Sequence, residues 1–136
     1  MKYILDTNII SDAKKNDKVI SFLENIDLDN AFLSVITIGE IQKGIEKLEQ
    51  SSRKLILQNW LEQELISNYK ILSIDIETIL YWGKLISKLN KQGKNMPILD
   101  SLIAATALIN NCILVTRNEK DFIHIENLEI INPWNI

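Results

Sequence analysis

Five short apolar runs, separated by longer amphipathic segments, constrain this chain more than any other feature. The runs are Tyr3–Leu5, Ala31–Val35, Ile71–Ser73, Ile113–Thr116 and Leu128–Ile131. Short runs without polar alternation suit strands buried on both faces. Helix candidates fill the gaps, at about Ile9–Lys14, Lys18–Asn25, Thr37–Gln50, Ser52–Ile66, Ile76–Leu89 and Leu99–Asn110. Asp75 is a candidate N-cap for the fifth of these, and Pro97 sits just ahead of the sixth. The alternation predicts right-handed βαβ units, hence an α/β fold with a parallel sheet between helix layers. A length of 136 residues, with no repeat or low-complexity tract, fits one domain over 1–136.

The first strand runs straight into Asp6-Thr7-Asn8. In open α/β sheets, ligands gather outside the carboxyl ends of the strands. A carboxylate buried there is costly unless a proton, a cation or a metal offsets it. Three more acids fall where strands or helices meet the same sheet edge. Glu40 is expected in the first turn of the helix after the second strand. Asp100 opens a helix, Ile98 to Ile109, that is apolar nearly all round and so reads as buried. Asp121 follows the fourth strand in what reads as a loop. The helix dipole offers Asp100 only about 1 kcal/mol, far less than burying a carboxylate costs. Taken singly, Asp6 could equally be a turn cap and Glu40 a first-turn helix acid, and Asp121 reads as a surface acid, but the apolar surroundings of Asp100 count against a simple helix-start acid there. Together they would repel and raise one another's pKa, a repulsion that a divalent cation relieves. All-oxygen ligation selects magnesium or manganese over zinc.

Composition narrows the alternatives. A net charge of −3 gives no bulk basic field for nucleic acid, although clustered acids would weigh on that total. The lone cysteine, Cys112, cannot form an intrachain disulfide, and its apolar neighbours favour a buried strand thiol. A reducing cytoplasm is the expected compartment. Asp6 interrupts any signal-peptide core, and the most apolar stretch is too short to span a bilayer.

The chain resembles the PIN-domain ribonucleases, and among them the VapC-type toxins of toxin–antitoxin pairs. The matching pieces are Leu5-Asp6-Thr7-Asn8, Ile38-Gly39-Glu40-Ile41-Gln42-Lys43-Gly44-Ile45, Pro97 through Ala107, Thr116-Arg117-Asn118-Glu119-Lys120-Asp121-Phe122, and Asn132-Pro133-Trp134. They occur in family order from end to end. The resemblance implies a three-layer α/β/α sandwich and a magnesium-dependent endoribonuclease, with manganese as a substitute, acting on RNA such as tRNA or rRNA. It implies that Asp6, Glu40, Asp100 and Asp121 form the catalytic acidic site. Asp6, Asp100 and Asp121 would hold metal directly or through water. Glu40 would bind a second ion or orient the attacking water. Thr7, Asn8, Thr116 and Asn118 would support them. Some relatives carry an acid where this chain has Asn118, which leaves open whether Asp121 is a direct ligand. The resemblance further implies a homodimer held inactive by a cognate antitoxin protein, with no membrane association. The helices Thr37–Gln50 and Ser52–Ile66 are candidates for the antitoxin groove. Their apolar residues Ile41, Ile45, Leu48, Leu55, Leu61 and Leu65 could serve core, dimer or partner.

An anionic substrate needs positive charge near the acids. Lys84, Lys88 and Lys91 are spaced to share one helix face; Lys43 and Arg117 adjoin the family acids. These are the candidate RNA contacts. Other chemistries fit less well. His124, the single histidine, sits in a late loop, and Ser34, Thr37 and Ser101 have no histidine base nearby in sequence. Trp60, Trp82 and Trp134 are well separated and read as packing residues. A phosphoacceptor domain would want an acid beside Asp6, and an aspartate-nucleophile phosphatase would want Asp where Asn8 stands. The remaining alternative is a catalytically silent RNA- or protein-binding module of the same fold.

Overall fold

The computed structural model describes residues 1–12 and 16–136. Strand β1 (Lys2–Leu5) leads into α1 (Thr7–Asp12), followed by α2 (Asp17–Glu24) and β2 (Ala31–Ser34). Then come α3 (Val35–Glu46), α4 (Ser52–Trp60) and β3 (Lys70–Leu72). The second half runs α5 (Ile76–Lys91), α6 (Ile98–Ile109), β4 (Cys112–Val115), α7 (Glu119–Phe122) and β5 (Ile130–Ile131). The expected end of the first helix at Lys14 lies outside the described residues.

All five strands pair in parallel, in the order β3-β2-β1-β4-β5. Successive side chains on a strand point to opposite faces, and the core divides accordingly. Ile4, Cys112 and Leu114 pack with Ile103, Ala104, Ala107, Phe122 and Ile125 on one face. Leu5, Leu33 and Val115 pack with Ile9, Val19, Ile45, Leu61 and Leu65 on the other. The expected α/β/α layering follows. Ala104, Ala105 and Ala107 of α6 are fully buried, and their small side chains admit the helix close to the sheet. The chain enters the sheet at its centre, with β2 on one side of β1 and β4 on the other. The crevice at a carboxyl edge opens where strand order reverses in this way.

Local chemistry moves several boundaries. The expected strand Ala31–Val35 stops at Ser34, whose hydroxyl accepts the Thr37 amide at 3.1 Å and caps α3. Helix α3 therefore begins at Val35, and Glu40 falls in its second turn rather than its first. The expected helix Ser52–Ile66 is α-helical only to Trp60 and continues as π-helix over Leu61–Ile66. Asp121 lies in the short helix α7, not in a loop. The α6 helix is less enclosed than its sequence suggests, since Ile98 and Leu99 in its first turn are exposed. The Asp75 cap of α5 forms as expected, accepting the Thr78 amide at 2.9 Å. Among the described residues no helix is long and apolar enough to cross a membrane.

Candidate active site

The β1–β4 register pairs Leu5 with Val115. The next residue on each strand, Asp6 and Thr116, is thereby set side by side at the carboxyl edge. The Asp6 amide donates to the Val115 carbonyl at 2.9 Å and extends the ladder to this point. Asp6 is only 6% exposed and is held through both carboxylate oxygens. The Thr7 amide donates to Oδ1 at 2.8 Å, while the Thr116 hydroxyl and the Asn8 amide donate to Oδ2 at 2.8 and 3.3 Å. Burial raises the Asp6 pKa above its ordinary value, and the charge of Glu40 adds to the rise; the hydrogen bonds from Thr116, Thr7 and Asn8 oppose it.

The neighbouring turn is tied to the same point. Asn8 Oδ1 accepts the Arg117 amide at 3.1 Å, and Thr116 Oγ1 accepts the Asn118 amide at 3.0 Å. Thr7, Asn8 and Thr116 thus all donate to the Asp6 carboxylate. Asn118 takes part through its backbone.

Glu40 reaches the site from α3. The Thr7 hydroxyl donates to Glu40 Oε1 at 2.7 Å. Asp100, in the first turn of α6, is half-buried and feels three other acids. Burial, then the charges of Asp6, Asp121 and Glu40, push its carboxyl up to about 6. The charges of Asp6, Asp121 and Glu40 are thus all felt at Asp100, although the four acids come from separate parts of the chain. Their donor set is entirely oxygen. Among the described residues, no three acidic side chains draw close enough to enclose an ion unaided. The all-oxygen donor set is of the kind that suits magnesium or manganese. It fits zinc poorly, since zinc prefers nitrogen and sulfur donors in a closed shell.

The basic candidates divide into two groups. Lys43 is exposed on α3, one turn beyond Glu40. The Arg117 guanidinium lies over the Trp134 ring at 5.0 Å and 3.8 Å from Asp12. Lys84, Lys88 and Lys91 do share one face of α5. However, Lys84 and Lys88 face the segment His124–Asn127, and Lys88 pairs with Glu126 at 3.0 Å. None of the three hydrogen-bonds or pairs with the four acids.

Two sets of residues were missed from the sequence. Thr37, read there only as a hydroxyl without a base, is fully buried with its Oγ1 3.2 Å from that of Thr7. Asn132 Nδ2 donates to the Arg117 carbonyl and to Glu119, and Asn135 also donates to Glu119. The chain terminus is thus laced to the turn that carries Thr116. The Asn132-Pro133-Trp134 ending was the available signal, but it said nothing about contacts.

Of the apolar residues left open on α3 and α4, the core takes Ile45, Leu61 and Leu65, and Ile41 packs against it. Leu55 and its neighbour Ile56 remain 69% and 67% exposed. Cys112 is buried in β4, as expected.

The PIN domain family matches this chain over residues 3–128. The toxin FitB of Neisseria gonorrhoeae is 29% identical, over 97% of this chain and 98% of that protein. Ribonuclease VapC2 of Rickettsia felis is 33% identical over 99% of both chains. The crystal structure of VapBC2 from Rickettsia felis, bound to a DNA fragment from their promoter, superposes with a TM-score of 0.82. It is 32% identical and covers 97% of this chain and 98% of that one.

Proposed function

The chain belongs to the PIN-domain family, and from that premise we propose that it is a magnesium-dependent endoribonuclease acting as the toxin of a toxin–antitoxin pair. The observation that carries the reading is the Asp100 carboxyl. It is pushed up to about 6 by burial and by three further acids, Asp6 just beyond β1, Asp121 on α7 and Glu40 on α3. A fold does not gather four mutually repelling carboxylates at a sheet edge without a counter-charge.

Asp6, Asp100 and Asp121 would hold magnesium, or manganese in its place, directly or through water. A divalent ion bound there lowers the pKa of water and neutralises charge on the phosphodiester oxygens. The remaining work falls to the chain. Thr116, Asn8 and the Thr7 amide fix both oxygens of Asp6, so its orientation is set before substrate arrives. Glu40, tethered by Thr7, takes a second ion or orients the attacking water. Lys43, one turn beyond Glu40, and Arg117, next to Thr116, would meet an RNA backbone near the acids. The stripe Lys84, Lys88 and Lys91 would guide more distant phosphates.

The partner reading follows relatives named as a toxin and solved as a toxin–antitoxin complex. A cognate antitoxin would cover exposed apolar residues of the α3–α4 region, Leu55 and Ile56 among them. Self-association as a homodimer belongs to the same proposal. Induced expression of the wild-type chain and of Asp100→Asn in a bacterial host, followed by mapping of new RNA 5′ ends, tests the function. New ends that appear with the wild type and vanish with the variant support it. Identical RNA profiles favour the silent binding module.

A further inference from the structure

Thr7 Oγ1 has two oxygen neighbours, Glu40 Oε1 at 2.7 Å and Thr37 Oγ1 at 3.2 Å. A hydroxyl carries one proton to donate. The Thr7 proton goes to the carboxylate, an acceptor only and the nearer of the two. The Thr7–Thr37 contact then requires Thr37 to be the donor. The chain of donors runs from Thr37 through Thr7 to Glu40, in one direction.

Thr37 is fixed at the start of that chain. It is fully buried, and its amide is held by the Ser34 cap at 3.1 Å. Its hydroxyl is therefore set by the β2–α3 junction rather than by solvent. Glu40, by contrast, has a long and rotamer-rich side chain one turn further along the same helix. Each hydroxyl polarises the next, so a donor chain strengthens the final bond to the carboxylate. The chain engages Oε1 alone. Oε2 accepts no hydrogen bond among the described residues and is left for an ion or a water.

We propose that Thr37 is a positioning residue that fixes Glu40 through Thr7, and so sets how the acidic site presents that carboxylate to a divalent cation. The inference rests on the ribonuclease reading for its functional consequence, and on the geometry alone for the relay.

Thr37→Val keeps the shape of the buried side chain and removes the donor; Thr37→Ser keeps the donor. The experiment measures kcat and KM for RNA cleavage, together with manganese binding by calorimetry on the RNA-free protein. Thr37→Val should lower kcat about tenfold, within the range that small misplacements produce, leave KM for RNA unchanged and weaken manganese binding severalfold. Thr37→Ser should restore both. Cleavage and manganese binding in Thr37→Val equal to wild type would overturn the relay while leaving the ribonuclease reading intact. Loss in both variants alike would overturn it too, because it would mark packing rather than the hydroxyl. If the wild type cuts no RNA, the ribonuclease reading fails and calorimetry alone decides. Weaker manganese binding in Thr37→Val, restored in Thr37→Ser, upholds the relay; equal binding or no binding in any form overturns it.

Discussion

Replacing Asp100 by Asn should stabilise the metal-free protein at neutral pH. The wild-type carboxyl titrates at about 6 in the folded chain, against an ordinary 3.8. Between those values the folded state keeps a proton that the unfolded state has released, so stability falls as pH rises. The contribution is fully present below about pH 4 and is lost as pH rises through about 6. At about 1.36 kcal/mol per pH unit the ceiling is about 3 kcal/mol. Asp100 is half-exposed, and solvent screening reduces that to about 1 kcal/mol. Unfolding entropy near 2.1 cal/mol/K per residue converts 1 kcal/mol to about 3 °C for a chain of this length. Thermal unfolding followed by circular dichroism, in chelator, reads the difference directly. The Asn variant should melt about 3 °C above wild type at pH 7.5, and the gap should narrow as pH falls through about 6 and close only below about pH 4. Magnesium at pH 7.5 should then raise the wild-type Tm and leave the variant nearly unmoved. An Asn variant less stable than wild type at pH 7.5, or a gap independent of pH, would refute the claim that burial of the Asp100 carboxyl, together with the charges of the neighbouring acids, strains this site.

Thr116→Val removes the donor to Asp6 Oδ2 and the acceptor for the Asn118 amide. It should lower metal affinity or cleavage about 10- to 100-fold, which a magnesium titration of activity would read, and raise the Asp6 pKa further. Ser34→Ala removes the α3 cap and should lower stability by about 1 kcal/mol in urea unfolding. Leu114→Ala, in the fully buried centre of β4, should destabilise by about 3 kcal/mol, also in urea. Lys43→Glu and Arg117→Glu should weaken RNA binding across sequences, with each lost cation flattening the salt dependence of binding by about one unit of slope.

The layering was legible because β1, β2 and β4 are short apolar runs and the helices between them are amphipathic. Those patterns record burial, and burial sets architecture. Boundaries were less legible where two signals compete. Val35 and Ile36 are β-branched and extend the apparent strand, yet the Ser34 hydroxyl satisfies the Thr37 amide and starts a helix there. The π-helical stretch Leu61–Ile66 leaves no distinct period, since Leu61 and Leu65 still bury on one side. Asp6, Glu40, Asp100 and Asp121 were expected together because parallel topology collects strand–helix junctions at one edge, and Asp100 does feel the charge of the other three. Contacts between distant positions were not: Thr7 meets Thr37 across 30 residues and Lys88 meets Glu126 across 38. The lysine stripe of α5 was correctly read as one face, but the sequence could not reveal that an acid faces it. Nor could it say which apolar side chains of α3 and α4 enter the core, since only the packed layers separate Leu61 from Leu55.

RNA cleavage by the purified protein tests the central claim most directly. The reactions are wild type with magnesium, wild type with chelator, and Asp6→Asn and Asp100→Asn with magnesium, against a panel that includes tRNA and rRNA. Cleavage in the first reaction alone is the predicted result. Equal cleavage in all four, or none by a folded, magnesium-loaded wild type on any RNA of the panel, would contradict the account.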